Sequence, residues 1–155
     1  MRKILVVLLA SFLALGIAGC SSKATKVSDP ETVSEKASSM SLGQTVTLDN
    51  GLELTVTDVR QGYEDVFDDT ICTIWVSYKN TDDEKHSFSS YDWTVEDKNG
   101  VVKDPTLYAE DDYLESGDLQ PGGTASGSVT FSCDSIAKVY YIEWLDSTSD
   151  ICWVI

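Results

Sequence analysis

Histidine is nearly missing from this chain: among 155 residues there is one, His86, together with only three prolines and two methionines. The four cysteines, Cys20, Cys72, Cys133 and Cys152, contain no CxxC pair, so the close Cys/His spacing of a structural zinc site is absent. There is no Gly-x-Ser-x-Gly elbow, and Gly117, Gly122, Gly123 and Gly127 lack the lysine and following helix of a phosphate-binding loop. His86 lies in the polar run Thr81 to Ser87 and reads as an exposed turn side chain rather than a general base. No cofactor and no catalytic residue are expected. Basic residues are scarce as well, 11 Lys and Arg against 26 Asp and Glu, for a net charge of −15. A surface of that sign excludes nucleic acid as a partner and repels an anionic lipid surface over roughly a Debye length.

There is a single long hydrophobic run. It extends from Ile4 to Ala18, follows Arg2 and Lys3, and ends in Gly19-Cys20. At about 15 residues it is short of the roughly 20 that span a bilayer, so it reads as a cleavable export signal rather than a retained helix. The segment Leu15-Gly16-Ile17-Ala18-Gly19-Cys20 resembles a bacterial lipobox. That resemblance implies a diacylglycerol unit on the Cys20 thiol, cleavage before it, a further acyl chain such as palmitate, and a lipid-anchored protein on the extracytoplasmic face of the cell membrane. Each buried methylene adds about 0.8 kcal/mol of anchoring, and two or more chains hold firmly where one holds reversibly. A soluble secreted form is the main alternative. Removing residues 1 to 19 leaves 136 residues, enough for one domain, with nine basic against 26 acidic side chains, a balance of −17.

Residues 20 to 40 hold the lipidated cysteine and a polar, serine-rich stretch without an apolar face, which reads as a flexible tether spanning about 25 Å. From Leu42 the apolar period becomes two, the mark of strands with one buried face. Val46 and Leu48 alternate with polar residues, Asn50-Gly51 supplies a hairpin turn, and Leu52, Leu54 and Val56 resume. The best central strand is Thr70 to Lys79, with Cys72, Ile74, Val76 and Tyr78 on one face and Thr73, Trp75 and Ser77 on the other. Further strands are expected at Phe88 to Asp97, with Tyr91, Trp93 and Val95 sharing a side, at Thr124 to Cys133, at Lys138 to Leu145 and at Asp150 to Ile155. Six to eight short strands predict an all-β domain over 41 to 155, an immunoglobulin-like sandwich of two antiparallel sheets. A small eight-stranded barrel is the alternative.

Four segments carry a resemblance: Leu42-Gly43-Gln44-Thr45-Val46 ahead of Asn50-Gly51-Leu52, Ile74 to Asn80, Val95 to Gly100, and above all Leu119-Gln120-Pro121-Gly122-Gly123-Thr124 continuing to Phe131. In order and spacing, behind a lipobox, they resemble the telokin-like, immunoglobulin-fold extracellular domains of Gram-positive lipoproteins, labelled immunoprotective and of unknown function. The resemblance implies a β-sandwich with no established chemistry and no catalytic residues to carry over. Cys72, Cys133 and Cys152 depart from the pattern.

With Cys20 taken by the anchor, those three thiols allow either one disulfide, in any of three pairings, or three buried free cysteines. Two acidic groups, Glu64, Asp65, Asp68 and Asp69, and Glu110, Asp111, Asp112, Glu115 and Asp118, are candidates for weak calcium binding without EF-hand spacing; solvated turns are the competing reading. Trp75, Trp93, Trp144 and Trp153 are a heavy aromatic load, and strand parity sets Trp75 and Trp153 opposite the core, either as a binding surface for an extracellular protein or cell-wall glycan or beneath long loops that partly cover both faces of a central strand. The expected function is non-catalytic recognition. A structural envelope component is the alternative, and a carboxylate-based hydrolase the least favoured.

Overall fold

The computed structural model describes residues 24–27, 39–107, 110–142 and 151–155. Among the described residues twelve strands run in order: β1 Ala24–Val27, β2 Ser39–Ser41, β3 Thr45–Leu48, β4 Leu52–Glu64, β5 Thr70–Asn80, β6 His86–Phe88, β7 Trp93–Glu96, β8 Val102–Lys103, β9 Gly117–Leu119, β10 Thr124–Phe131, β11 Lys138–Tyr141 and β12 Cys152–Val154. One sheet has the order β1-β3-β4-β5-β10, a second β2-β12-β11-β7-β8, and β6-β9 forms a small ribbon. This is the immunoglobulin-like sandwich that the alternation predicts. All the pairs are antiparallel except β2 with β12.

The layers close because each sheet has an apolar face. Cys72, Ile74, Val76 and Tyr78 of β5 are at most 1 % exposed and meet Trp93, Val95, Val139 and Trp153 of the opposing sheet, all at 0 %. Edge-to-face rings fill the middle, with Tyr78 5.9 Å and Tyr141 5.4 Å from Trp93. The Asn50-Gly51 turn joins β3 to β4 as expected, with Gly51 at φ 80° and its α-carbon pressed against Asp82, a position closed to any side chain.

Several expectations need correction. The tether over 20–40 is not free of pairing: β1 lies antiparallel on β3, and β2 begins at Ser39. Edge pairing needs only backbone groups, so a polar sequence does not betray it. The strand expected across Phe88 to Asp97 is interrupted by a 3-10 turn at Ser90–Asp92, capped by Ser89, which turns Tyr91 out to 48 % exposure. His86 sits in β6 rather than in a loop, its side chain only 16 % exposed and Nε2 3.0 Å from Asp82 Oδ2. Cys20, Trp144, residues 28–38 of the tether and the end of the Lys138 to Leu145 strand lie outside the described residues.

Candidate recognition surface

Beyond the core the β4–β5 hairpin continues as an exposed arm. Its root is set by two bulges in β4, between Val56 and Asp58 and between Arg60 and Tyr63, the second built on Gly62 at φ 60°. Its tip is a turn made by Asp65. The Asp65 carboxylate accepts from the backbone N–H groups of Phe67 at 2.8 Å and Asp69 at 2.9 Å, and Asp68 takes φ 64°, which a short polar side chain tolerates. This turn holds Val66 and Phe67 outward at 77 % and 76 % exposure. Sequence reasoning missed this pair. Its signal was two adjacent apolar residues inside an acidic turn, where no strand face can take them into the core.

Along the arm a chain of hydroxyls ends on a carboxylate. Tyr63 Oη donates to Glu110 Oε1, so it accepts from Thr73 Oγ1 at 2.6 Å, which in turn accepts from Thr130 Oγ1 at 2.9 Å. Burial, reinforced by the Glu110 hydrogen bond, pushes the Tyr63 phenol up to about 12. The Arg60 guanidinium stacks 3.6 Å over the Tyr63 ring.

Trp75 is half-buried and committed. Its Nε1 donates to Asp112 Oδ2 at 2.7 Å, while the Asp112 carbonyl accepts from Ser128 N at 2.9 Å and the Ser128 carbonyl accepts from Leu114 N at 2.8 Å. The indole therefore clamps the 110–114 segment against the outer side of β5 and β10. Trp153 is not a surface residue. At 0 % exposure it packs 5.6 Å from Trp93 and donates through Nε1 to the Gln44 carbonyl at 2.9 Å. Alternation within a three-residue strand is too short a signal to fix which face is inward.

Four carboxylates of the acidic clusters are engaged within the chain. Asp65 builds the turn, Glu110 and Asp112 receive Tyr63 and Trp75, and Asp118 pairs with Lys85 at 2.9 Å. Among the described residues no three His, Cys, Asp or Glu side chains are placed to hold a metal ion. Cys72, Cys133 and Cys152 are buried and are thiols in the structure. Cys72 and Cys133 come together, whereas Cys152 lies in the opposite sheet, across from Tyr140.

Half-buried carboxylates elsewhere set the acid response. Glu96 is held below the usual 4.5 by the Tyr140 hydroxyl at 2.6 Å and by Lys138, Asp97 below 3.8 by the Val101 N–H, and Asp82 below 3.8 by His86. Their folded pKa values lie under the unfolded ones, so the unfolded chain binds more protons in acid and these contributions fade as pH falls through the folded values. Thermal melts are expected to show a midpoint that drops below about pH 4, more shallowly in Glu96→Gln; a midpoint that stays level to pH 2.5 would contradict this.

The geometry can be set beside known proteins. The sequence profile of a family described as Domain of unknown function (DUF4352) matches residues 40–150. The chain belongs to that family. No curated protein matches this DUF4352 chain. Among solved structures, the secreted protein MPT63 of Mycobacterium tuberculosis superposes with a TM-score of 0.63 at 12% identity, over 79% of this chain and 100% of that one. The YjhA protein of Bacillus subtilis gives 0.58 at 17% identity over 75% and 98%. YcdA of Bacillus subtilis, designated a lipoprotein, gives 0.56 at 15% identity over 68% of this chain and 36% of its own. At such identities the likeness is one of fold: the DUF4352 domain here shares the sandwich of all three.

Proposed function

We propose that this DUF4352 chain is an exported lipoprotein, held through acylated Cys20 on the extracytoplasmic face of a Gram-positive cell membrane, whose sandwich binds an extracellular protein without catalysis. The lipobox residues support the anchor, and a secreted protein and a designated lipoprotein among the chains of like fold accord with an extracellular setting. Closer kinship with the telokin-like immunoprotective domains is part of the same reading.

The observation that carries recognition is the hairpin tip. Val66 and Phe67 contribute nothing to the core, yet a carboxylate-built turn keeps them fully presented. Apolar side chains held in water in this way suit a pocket on a partner. Their neighbours Glu64, Asp65, Asp68 and Asp69 are acidic, which favours a pocket whose rim is basic. A protein fits this chemistry better than a neutral glycan, because Trp75, the one half-buried indole among the described residues, is fastened to Asp112.

A photoreactive phenylalanine analogue at position 67 of the full chain, irradiated on intact cells, is expected to give a discrete adduct. Excess soluble wild-type domain should compete it away, and the Val66→Ser/Phe67→Ser variant should not, while its melting midpoint stays within about 1 °C of wild type because neither side chain is packed. Adducts that both proteins compete equally, or no adduct at all, would refute the tip as a recognition element and leave a structural envelope role.

A further inference from the structure

Cys72 and Cys133 sit at a place where the sheet is no longer regular. The β5–β10 ladder pairs Cys72 with Phe131, so Cys133 is two residues past the position opposite Cys72. Diagonal neighbours in a regular ladder lie about 7–8 Å apart, beyond easy reach of a disulfide. Here the ladder stops at Phe131 and the chain bends through 132–134, and Cys72 Sγ donates to the Cys133 carbonyl at 3.0 Å. The bend is fixed on β4. Ile136 N donates to Gln61 Oε1 at 2.9 Å, and the Gly62 α-carbon approaches so closely that a Cβ there would lie 2.8 Å from the Asp134 carbonyl. The same bulge turns Gly62 N toward Cys72 Sγ at 3.4 Å.

From this geometry we propose that Cys72 and Cys133 form an intrachain disulfide, leaving Cys152 as the domain's remaining thiol. The pair has the right asymmetry for the reaction. Hydrogen bonding from Cys133, opposed by burial and aided by the Gly62 N–H, brings the Cys72 thiol down to about 7, while Cys133 is pushed above the usual thiol range by its bond to Cys72 and by burial. The oxidant is a disulfide, that of a thiol–disulfide oxidoreductase or a small-molecule disulfide in the exported compartment. The Cys72 thiolate attacks one of its sulfurs, forming a mixed disulfide and expelling the other as a thiolate. Cys133 then gives its proton to that thiolate and attacks the Cys72 sulfur, closing the Cys72–Cys133 bond and releasing the second oxidant sulfur, which takes up the proton Cys72 lost. Two electrons and two protons pass to the oxidant, which leaves as a dithiol or two thiols. Both residues are buried in the finished core, so the oxidant meets them late in folding, when the 132–134 bend has brought the two thiols together but has not yet closed over them. The proposal is independent of what the hairpin binds.

The test uses the purified full chain, unfolded in urea and refolded with oxidised glutathione, then alkylated under denaturing conditions and mapped by peptide mass. One cross-linked species joining Cys72 and Cys133 is expected, with Cys152 alkylated, and a melting midpoint about 10 °C above that of the dithiothreitol-treated protein. Cys152→Ser should keep the cross-link and the shift. Cys133→Ser should leave Cys72 alkylated and abolish the shift. Alkylation of Cys72, Cys133 and Cys152 after oxidative refolding, or a bridge from Cys72 or Cys133 to Cys152 or Cys20, would overturn the assignment.

Discussion

Asn80→Ala is expected to lower the unfolding free energy by about 4 kcal/mol, the largest loss for any single polar side chain described here. Asn80 ends β5 with no exposure at all, and its amide ties together three separate pieces of chain. Nδ2 donates to the carbonyls of Glu84 at 2.7 Å and Leu119 at 3.0 Å, and Oδ1 accepts from Asp82 N at 2.9 Å. Its backbone closes the turn ahead of β10 as well, donating to the Gly123 carbonyl at 2.9 Å and accepting from Gly122 N at 3.0 Å. Truncation to alanine leaves the backbone bonds in place but strands two carbonyls and one N–H, each costing about 1–3 kcal/mol when water cannot reach it. Asn80→Asp is expected to be at least as damaging, because a carboxylate would face two carbonyl oxygens in place of a donor. Urea unfolding at neutral pH measures both; a loss under 1 kcal/mol for the alanine variant would mean that water replaces the amide.

Gly127→Ala is expected to cost about 3 kcal/mol and to free the segment beside β10. The reason is approach rather than backbone angle. A Cβ on Gly127 would lie 2.6 Å from both Cα and N of Leu114 and 2.9 Å from the Asp112 carbonyl, and no flexible side-chain end is there to yield. The methyl group would push the 112–114 segment off the strand, breaking the Ser128 N to Asp112 bond and the Leu114 N to Ser128 bond, and drawing Leu114 out of a core where it is 3 % exposed. Because Asp112 also holds the Trp75 indole, the fluorescence of the variant should shift to the red along with the lower urea midpoint. A stable variant with unchanged emission would show that the segment can move aside without loss.

The fold was legible wherever alternation ran long. Cys72, Ile74, Val76 and Tyr78 give four inward positions in one strand, and the Asn-Gly and Pro-Gly-Gly turns bracket their strands with side chains that fit those bends. Short elements were less legible: β2, β6, β8 and β9 have two or three residues each and too little period to read, and β12, though expected within Asp150 to Ile155, is too short to show which face is inward. That is why Trp153 was set on the wrong face. The candidate surface was half legible: Trp75 does face away from the core, but its anchoring by Asp112 joins residues 37 positions apart, which no local pattern reports. The acidic clusters show the same limit, because a carboxylate that accepts from a distant phenol or indole, as Glu110 and Asp112 do, looks in sequence like one that waits for a cation. The pairing of Cys72 with Cys133 depended on a bend just past the end of a strand, where strand parity stops applying.

The borders of the larger sheets carry one more consequence. On one side β3 is covered by the backbone of β1, and on the other β10 is flanked by bridges from Pro105 and Tyr113, while the second sheet ends in β2 and β8, only three and two residues long. Outside the β4–β5 arm, therefore, among the described residues these borders offer no long strand with an open row of amides to a neighbouring copy. Molecules of this domain can be packed densely side by side with little tendency to zip into fibrils, and the arm between β4 and β5 is left to make whatever contacts form.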